Sequence, residues 1–426
     1  MRIRRVLCLI LAVAVILSSF ASTAFAAKES WKPINKEPFI FVHGLNGWGS
    51  AEGINTVVSY WGATTGDLMS YLQSEGYECY AASVGPMSSA WDRACELYAQ
   101  LVGARVDYGI AHSEANNHER YGRTYYTALV PDWGELDDAG KIQKVHLIGH
   151  SFGGTTVRML VHLLTYGSPE EKAVTDADDL SGLFTGGKGD WVKSATAICT
   201  PHNSSSVYYP LKALGLYEIV YNFSFLYAGV MGRTFLNGRL VDFHLEQFGL
   251  TDVPNGEKAD GLIESMARVQ HNINDTCIYD LTPEGTAKLN GDLEINDDIY
   301  YFSYPFSTTE KLPIIGVDFP KLSTNPVIYL TGLVMAFMPE FKDPETGVVY
   351  NDDWRANDAL VNTESAKHPL DEPHKDFESE KIEKGIWNVM PVQEGDHGAA
   401  VGLFSSEEMV HGFYLELCKM LCNLPD

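Results

Sequence analysis

The chain has 426 residues, with 31 Lys and Arg against 56 Asp and Glu, a formal charge of −25 at neutral pH. That balance excludes nucleic acid as a partner, because phosphates would repel it, and it excludes tight docking on anionic lipid headgroups. Contact with an uncharged apolar surface stays open, since buried area rather than charge drives it.

Residues 1–26, "MRIRRVLCLILAVAVILSSFASTAFA", read as a secretory leader. Arg2, Arg4 and Arg5 make the positive start, Val6 to Leu17 the apolar middle, and Ala24-Phe25-Ala26 a small-x-small cleavage site. Cleavage leaves 400 residues, in which 28 basic groups stand against 56 acids, a balance of −28. No later apolar run reaches the roughly 18 to 20 residues a spanning helix needs. The expectation is an exported, extracellular protein without stable membrane insertion; its oligomeric state is left open.

Along residues 27–426 short β-rich runs alternate with helical stretches. "FIFVHG" reads as a strand, "TGDLMSYLQSEG" as a helix and "YECYAASV" as a strand. "KVHLIGH" follows, then a helix from Thr155 to Tyr166, the runs "VKSATAICTP" and "IYYFSYPF", and a closing helix "SEEMVHGFYLELCKML". Short apolar strands separated by helices predict an α/β fold, a mostly parallel central sheet with helices on both faces. No repeat or linker divides it, so a single domain is expected.

Two stretches interrupt the pattern. Residues 84–126 are polar and rich in aromatics; residues 203–260 are apolar and aromatic, with few charges. A helix so apolar is ordinarily buried, or in an exported enzyme serves as a lid over a greasy pocket. The six cysteines after the leader, Cys79, Cys95, Cys199, Cys277, Cys418 and Cys422, are too few for a disulfide scaffold. Free, buried thiols are expected, with Cys418 and Cys422 on one apolar helical face.

Gly149-His150-Ser151-Phe152-Gly153 matches G-x-S-x-G, between the strand "VHLI" and a helix. In that setting the motif predicts a sharp turn that holds Ser151 in strained backbone at the positive end of the helix, as a nucleophile does. A serine hydroxyl needs a base, and the base an orienting carboxylate, in the chain order serine, acid, histidine. His397 lies late, in a glycine-flanked loop before the last helix; His368, His374 and His411 remain rivals on position alone. Among Asp352, Asp353 and Asp358, the last adjoins the apolar pair Ala359-Leu360 and is preferred as the acid. An oxyanion hole needs two backbone N–H groups. Phe152, after the serine, and Leu45, in the loop after "FIFV", are the natural donors, whereas His43 receives no proton-transfer role.

With these residues in place the chain resembles the secreted zinc-containing lipases of Gram-positive bacteria, including thermophilic and staphylococcal lipases. The resemblance is carried by "FVHGLNGWG", "HLIGHSFGGTTVRMLVHLL", "CTPHNSS", "NDTCIYDLTPEGTAKLN", "WRANDALVNT" and "KGIWNVMPVQEGDH", and by a long run through residues 66–125. It implies an α/β-hydrolase fold with a zinc-binding insertion about 84–126 and a helical lid about 203–260. It also implies Ser151, Asp358 and His397 as the catalytic triad, with Leu45 and Phe152 at the oxyanion hole. Asp92, His112, His118 and Asp275 fall on the family's zinc ligands, a closed set of four that suits a structural ion. The family's calcium site would use positions that here read Ala399 and Phe404, neither an oxygen donor, so no calcium is expected there. Phe152, where the family has glutamine or methionine, is expected to narrow or grease the pocket.

The function implied is a triacylglycerol lipase or broad carboxylesterase acting on lipid or other esters, with the lid meeting an apolar interface. A short-chain esterase, a polyesterase and an acyltransferase on the same serine are the alternatives within this chemistry. A non-catalytic scaffold is the alternative outside it, and that reading has to explain why the serine, acid and histidine all persist.

Overall fold

The computed structural model describes residues 33–215 and 273–425, apart from 314, 315 and 345. Between those stretches it describes only Thr234, Phe235, Gly238, Arg239, Asp242, His244 and Glu246–Phe248. The expected leader, and the lid beyond residue 215 except for those positions, lie outside the described residues.

Seven strands form the central sheet: β1 (Phe39–Val42), β2 (Cys79–Ala82), β3 (Val145–His150), β4 (Val192–Ile198), β5 (Tyr300–Tyr304), β6 (His374–Asp376) and β7 (Trp387–Val389). Their spatial order is β6-β7-β5-β4-β3-β1-β2, and every pairing is parallel. Both faces are covered, so the central strands are apolar throughout rather than alternating. β1 shows why: Ile40 and Val42 point into one core and Phe39 and Phe41 into the other, all four fully buried.

On the first face lie α2 (Ala90–Val102) and α4 (Phe152–Tyr166), packed on each other. On the second lie α1 (Leu68–Ser74) and the C-terminal α6 (Glu407–Cys422). Two shorter helices matter for the site: α3 (Ile110–Asn116) and α5 (Tyr208–Ala213).

Several expectations change in detail. The helix expected from Thr155 begins at Phe152, because Gly153 and Gly154, poor helix formers, hide its first turn. The polar stretch 84–126 is not all insertion. Its first part is α2, whose Ala94, Leu97 and Leu101 join the core, and only the rest projects, as α3 and the hairpin of Arg105–Asp107 with Tyr121–Thr124. All six cysteines are unpaired and five are buried, but Cys422, the last residue of α6, is exposed.

β1 lies between β2 and β3, so the connections leaving its C-terminal end and that of β3 run to opposite sides. A crevice opens at such a switch point. The register, Val42 beside Gly149, brings the loop after β1 against the turn after β3.

Candidate active site

At the end of β3, Ser151 caps α4 with φ 56° and ψ −128°, a left-handed region that costs a non-glycine residue about 1–3 kcal/mol. The strain is held from several sides. Ser151 N–H donates to Ile198 O at 2.8 Å, and Thr200 Oγ1 donates to Ser151 O at 3.0 Å. Glycines permit the tight turn: a Cβ on Gly149 would meet Gly153 C at 2.3 Å, and one on Gly153 would meet Val42 O at 2.1 Å.

Ser151 opens onto a cavity of about 300 Å³. Leu45, Val207, Tyr208, Leu211, Leu281 and Leu360 are among its apolar walls, and His397 lines it too. His397 Nδ1 donates to Asp358 Oδ2 at 2.8 Å, and its backbone N–H donates to Asp358 O at 2.7 Å. Asp358 is 1% exposed; its Oδ1 accepts from the N–H groups of Leu360 (3.0 Å) and Val361 (2.7 Å). The structure thus joins 358 to 397 and sets 397 with 151 at one cavity. The rivals stand elsewhere. Asp352 and Asp353 are exposed, the former paired with Arg355. His368 stacks on His374, and His411 stacks on Tyr71 on the second face.

Reading residues singly missed a relay that ties the two loops. Gly44 N–H donates to Tyr60 Oη at 3.0 Å, Tyr60 O–H to His150 Nδ1 at 2.7 Å, and His150 Nε2–H to His397 O at 3.0 Å. This direction requires a neutral His150, and burial pushes its pKa well below the usual value. Tyr60 sits in an unremarkable segment, and His150 reads as the variable position of the motif, so neither carried a signal.

Leu45 lies on the cavity wall. Phe152, the first residue of α4, has its side chain turned away: the ring is fully buried beneath the Arg93 guanidinium, 5.2 Å from its centroid. The expectation that this side chain narrows the pocket is therefore overturned, because the residue after the turn points down into the core between α2 and α4. Its N–H keeps the helix-start position.

The loop after His397 is closed by protein groups. Gly62 and Ala63 N–H donate to Val401 O at 3.0 Å each, Thr64 N–H to Gly402 O at 3.0 Å, and Tyr414 O–H to Ala400 O at 2.7 Å. Ala399 is buried in it and Phe404 exposed.

A second cluster is linked to the cavity wall by the segment that carries both Asp275 and Ile278. Asp92 comes from α2, His112 from α3 and His118 from the turn after it, while Asp275 is carried in by a segment whose Thr276 bridges Ser88 and whose Asp280 caps Ala90 N–H at 2.8 Å. One ligand atom from each of the four lies within 4.8 Å of every other. His112 Nε2 is 3.1 Å from Asp92 Oδ1 and 3.3 Å from Asp275 Oδ1, and His118 Nε2 is 3.2 Å from Asp275 Oδ2. His118 Nδ1–H donates to Glu119 O at 2.9 Å, so a neutral ring turns a bare nitrogen toward carboxylate oxygens. Acceptors facing acceptors in a buried place need a cation or protons between them. Burial, and then the neighbouring Asp275, push the Asp92 carboxyl above its usual range, as two close carboxylates must. The donor set fits a metal ion, and Gln247, donating to Asp92 Oδ2 at 2.9 Å, supports it from behind.

The family model of the lipase-like C-terminal domain matches residues 35–421. Among curated relatives, "Lipase" of Staphylococcus hyicus is 35% identical over 391 residues, covering 88% of this chain and 55% of the relative. "Lipase 2" of Staphylococcus aureus is 34% identical over 377 residues, covering 87% and 51%. The chain thus spans about half the length of the curated relatives it matches. Among solved structures, Staphylococcus hyicus lipase superposes with a TM-score of 0.77 at 33% identity, over 93% of this chain and 98% of that one. EstA from Clostridium botulinum gives 0.76 at 32%, over 93% and 90%, and lipase 1 from Pelosinus fermentans gives 0.75 at 35%, over 92% and 100%.

Proposed function

We propose that this chain, which belongs to the lipase-like C-terminal domain family, is an exported serine carboxylester hydrolase of the triacylglycerol-lipase type. The observation that carries the reading is one apolar cavity shared by a serine on a strained strand-to-helix turn and a histidine bonded to a buried carboxylate.

Ser151 Oγ attacks the ester carbonyl carbon while His397 Nε2 takes its proton. The carbonyl oxygen, now negative, accepts hydrogen bonds from Leu45 and Phe152 N–H. The bond to the alcohol oxygen breaks as His397 returns the proton to it. Water then attacks the acyl-enzyme, gives its proton to His397, and the acid leaves as Ser151 recovers that proton. Asp358 holds the imidazole in the tautomer this needs and stabilises it when charged. The mechanism asks nothing of an open metal position.

A lipase rather than a small-substrate esterase is supported by apolar walls that continue onto α5, at the start of the lid-like stretch. The family relatives named lipases favour the same reading. Among the described residues no helix is long and apolar enough to cross a membrane. The test is the rate on p-nitrophenyl esters from acetate to palmitate and on an emulsified triacylglycerol. Long esters and the emulsion should be cleaved. Cleavage of acetate and butyrate alone moves the reading to a short-chain esterase, and no cleavage of any ester rejects it.

Asp92, His112, His118 and Asp275 would hold zinc, whose four protein donors make it a cross-link between α2, the insertion and the 273–280 segment rather than a reagent. Chelation is expected to lower Tm by several degrees while leaving ester cleavage measurable in the cold. Metal bound at a thousandfold over its Kd contributes about 4 kcal/mol. An unchanged Tm after removal verified by elemental analysis rejects this role.

A further inference from the structure

Arg93 directly follows the metal-cluster residue Asp92 on α2, yet faces the other way. It is fully buried, and no carboxylate lies within ion-pair distance of it among the described residues. Glu96 and Asp280 act on it only from beyond that distance, and burying a guanidinium without a direct ion pair is costly by several kcal/mol. Its bonds go to backbone carbonyls instead: Nη2 to His43 O, and Nη1 to Gly44 O and Gly85 O at 3.4 Å each. His43 and Gly44 are the two residues that precede Leu45 in the loop after β1.

From this we propose that Arg93 is a positioning residue for the oxyanion hole, holding the His43 and Gly44 carbonyls so that Leu45 N–H is aimed into the cavity. The proposal rests on the hydrolase reading. The argument is one of peptide geometry. A trans peptide is planar and its C=O and N–H point in opposite directions, so the direction of the Gly44 carbonyl sets that of the Leu45 N–H. Three donors converge on Gly44 O: Arg93 Nη1, His43 Nδ1 at 2.9 Å, and Gly47 N–H at 3.2 Å. The neighbouring peptide obeys the same rule, its His43 carbonyl on Arg93 and its Gly44 N–H on Tyr60. One planar guanidinium therefore grips two successive carbonyls from behind. The gripped loop touches the nucleophile, since a Cβ on Gly44 would meet Ser151 Cβ at 2.8 Å.

His43 cannot do this alone. Its Nε2 accepts from Val84 N–H at 3.3 Å, which leaves Nδ1–H for Gly44 O, and nothing on it reaches the carbonyl of its own peptide. Burial, followed by the Arg93 charge, keeps His43 neutral. Arg93 also lies over the Phe152 ring, so one side chain touches Phe152 and the Gly44 carbonyl whose peptide carries the Leu45 N–H. Its charge, offset by Glu96 and Asp280 only from beyond ion-pair distance, adds a positive field behind the position where the negative oxygen forms.

The test compares Arg93→Lys and Arg93→Met in the metal-loaded protein, with Tm and far-UV circular dichroism as the measure of folding. A lysine keeps the charge but as a single point, without a fork for two carbonyls. Both variants should lose about ten- to a hundredfold in kcat with KM within about threefold, since the loss falls on the transition state. The distinguishing readout is affinity for two inhibitors. An alkyl trifluoromethyl ketone, which forms an anionic tetrahedral adduct on the serine, should weaken by the same factor as kcat/KM, while a long-chain alcohol should bind as before. If kcat stays within twofold in a folded variant, or both inhibitors weaken alike, Arg93 only packs the loop and the proposal falls. Should Arg93→Met fail to fold, Arg93→Lys decides alone. Ser151→Ala in parallel separates the two readings: if it hydrolyses like the parent, the failure belongs to the hydrolase reading.

Discussion

Ser151→Ala should cut ester hydrolysis by about ten-thousandfold or more while the fold persists. In the proposed mechanism the oxygen removed forms the covalent bond, and neither of two other described hydroxyls on the cavity wall, those of Ser205 and Tyr60, is placed to replace it. Ser205 lines the same wall but donates to Leu360 O at 2.6 Å, and the Tyr60 hydroxyl is committed to His150. Residual activity would come from water, with the oxyanion donors intact. Two measurements check this. Chromogenic-ester kinetics should show the loss in kcat. An alkyl phosphonate should add one phosphonyl group to Ser151 in the parent and none in the variant. A variant that keeps the parent rate, or a phosphonate found on another residue, removes the serine from the mechanism. Stability gives an independent check. Because φ is +56°, Ser151→Gly should be more stable than Ser151→Ala by about 1 kcal/mol, glycine being free of the strain that alanine retains.

Much of this site was legible because its parts are local. A strand, a glycine-boxed serine and a helix are consecutive in the chain, so "VHLIGHSFGG" carries the turn by itself. Asp358 stood out from Asp352 and Asp353 because it adjoins the apolar pair Ala359-Leu360, and the structure gives the reason: Ala359 is fully buried and Leu360 lines the cavity. His397 was one of four candidates until the resemblance singled it out, since a loop histidine has no local pattern. The candidate metal-binding cluster is similar. Its donors come from α2, the turn around α3 and a segment some 180 positions away, and no spacing rule joins Asp92 to Asp275.

Other features were illegible for physical reasons. β6 reads "HKD" and lies at the sheet edge, where solvent covers one side and apolar character is not needed. β7, "WNV", is three residues long and too short to show a period. Arg93 reads as an ordinary helix charge beside an acid. Only coordinates reveal that its face of α2 is turned toward the loop after β1. The direction of the Phe152 side chain failed similarly, because the motif predicts where the backbone goes and says nothing of which face of α4 the next residue takes.

Asp358→Asn is expected to lower kcat by about ten-thousandfold with little change in the fold. The hydrogen bonds dictate how the amide must sit. Asp358 Oδ1 accepts from two backbone N–H groups, and only the oxygen of an asparagine can continue to do so. The amide nitrogen is then forced into the place of Oδ2, where it presents N–H to His397 Nδ1 at what is now a 2.8 Å contact. To avoid two donors facing each other, the imidazole must move its proton from Nδ1 to Nε2. A ring protonated at Nε2 has no lone pair for the Ser151 proton, so the base is lost though every atom remains close to its former position. The backbone bond from His397 N–H to Asp358 O survives, and with it the loop, so Tm should stay within a few degrees. The measurement is kcat on a soluble ester together with the His397 ring signals in a nitrogen-resolved NMR spectrum. Those signals should exchange the tautomer. A folded Asp358→Asn protein with kcat near the parent's would mean the carboxylate does not orient the base, and the acid would have to be sought elsewhere.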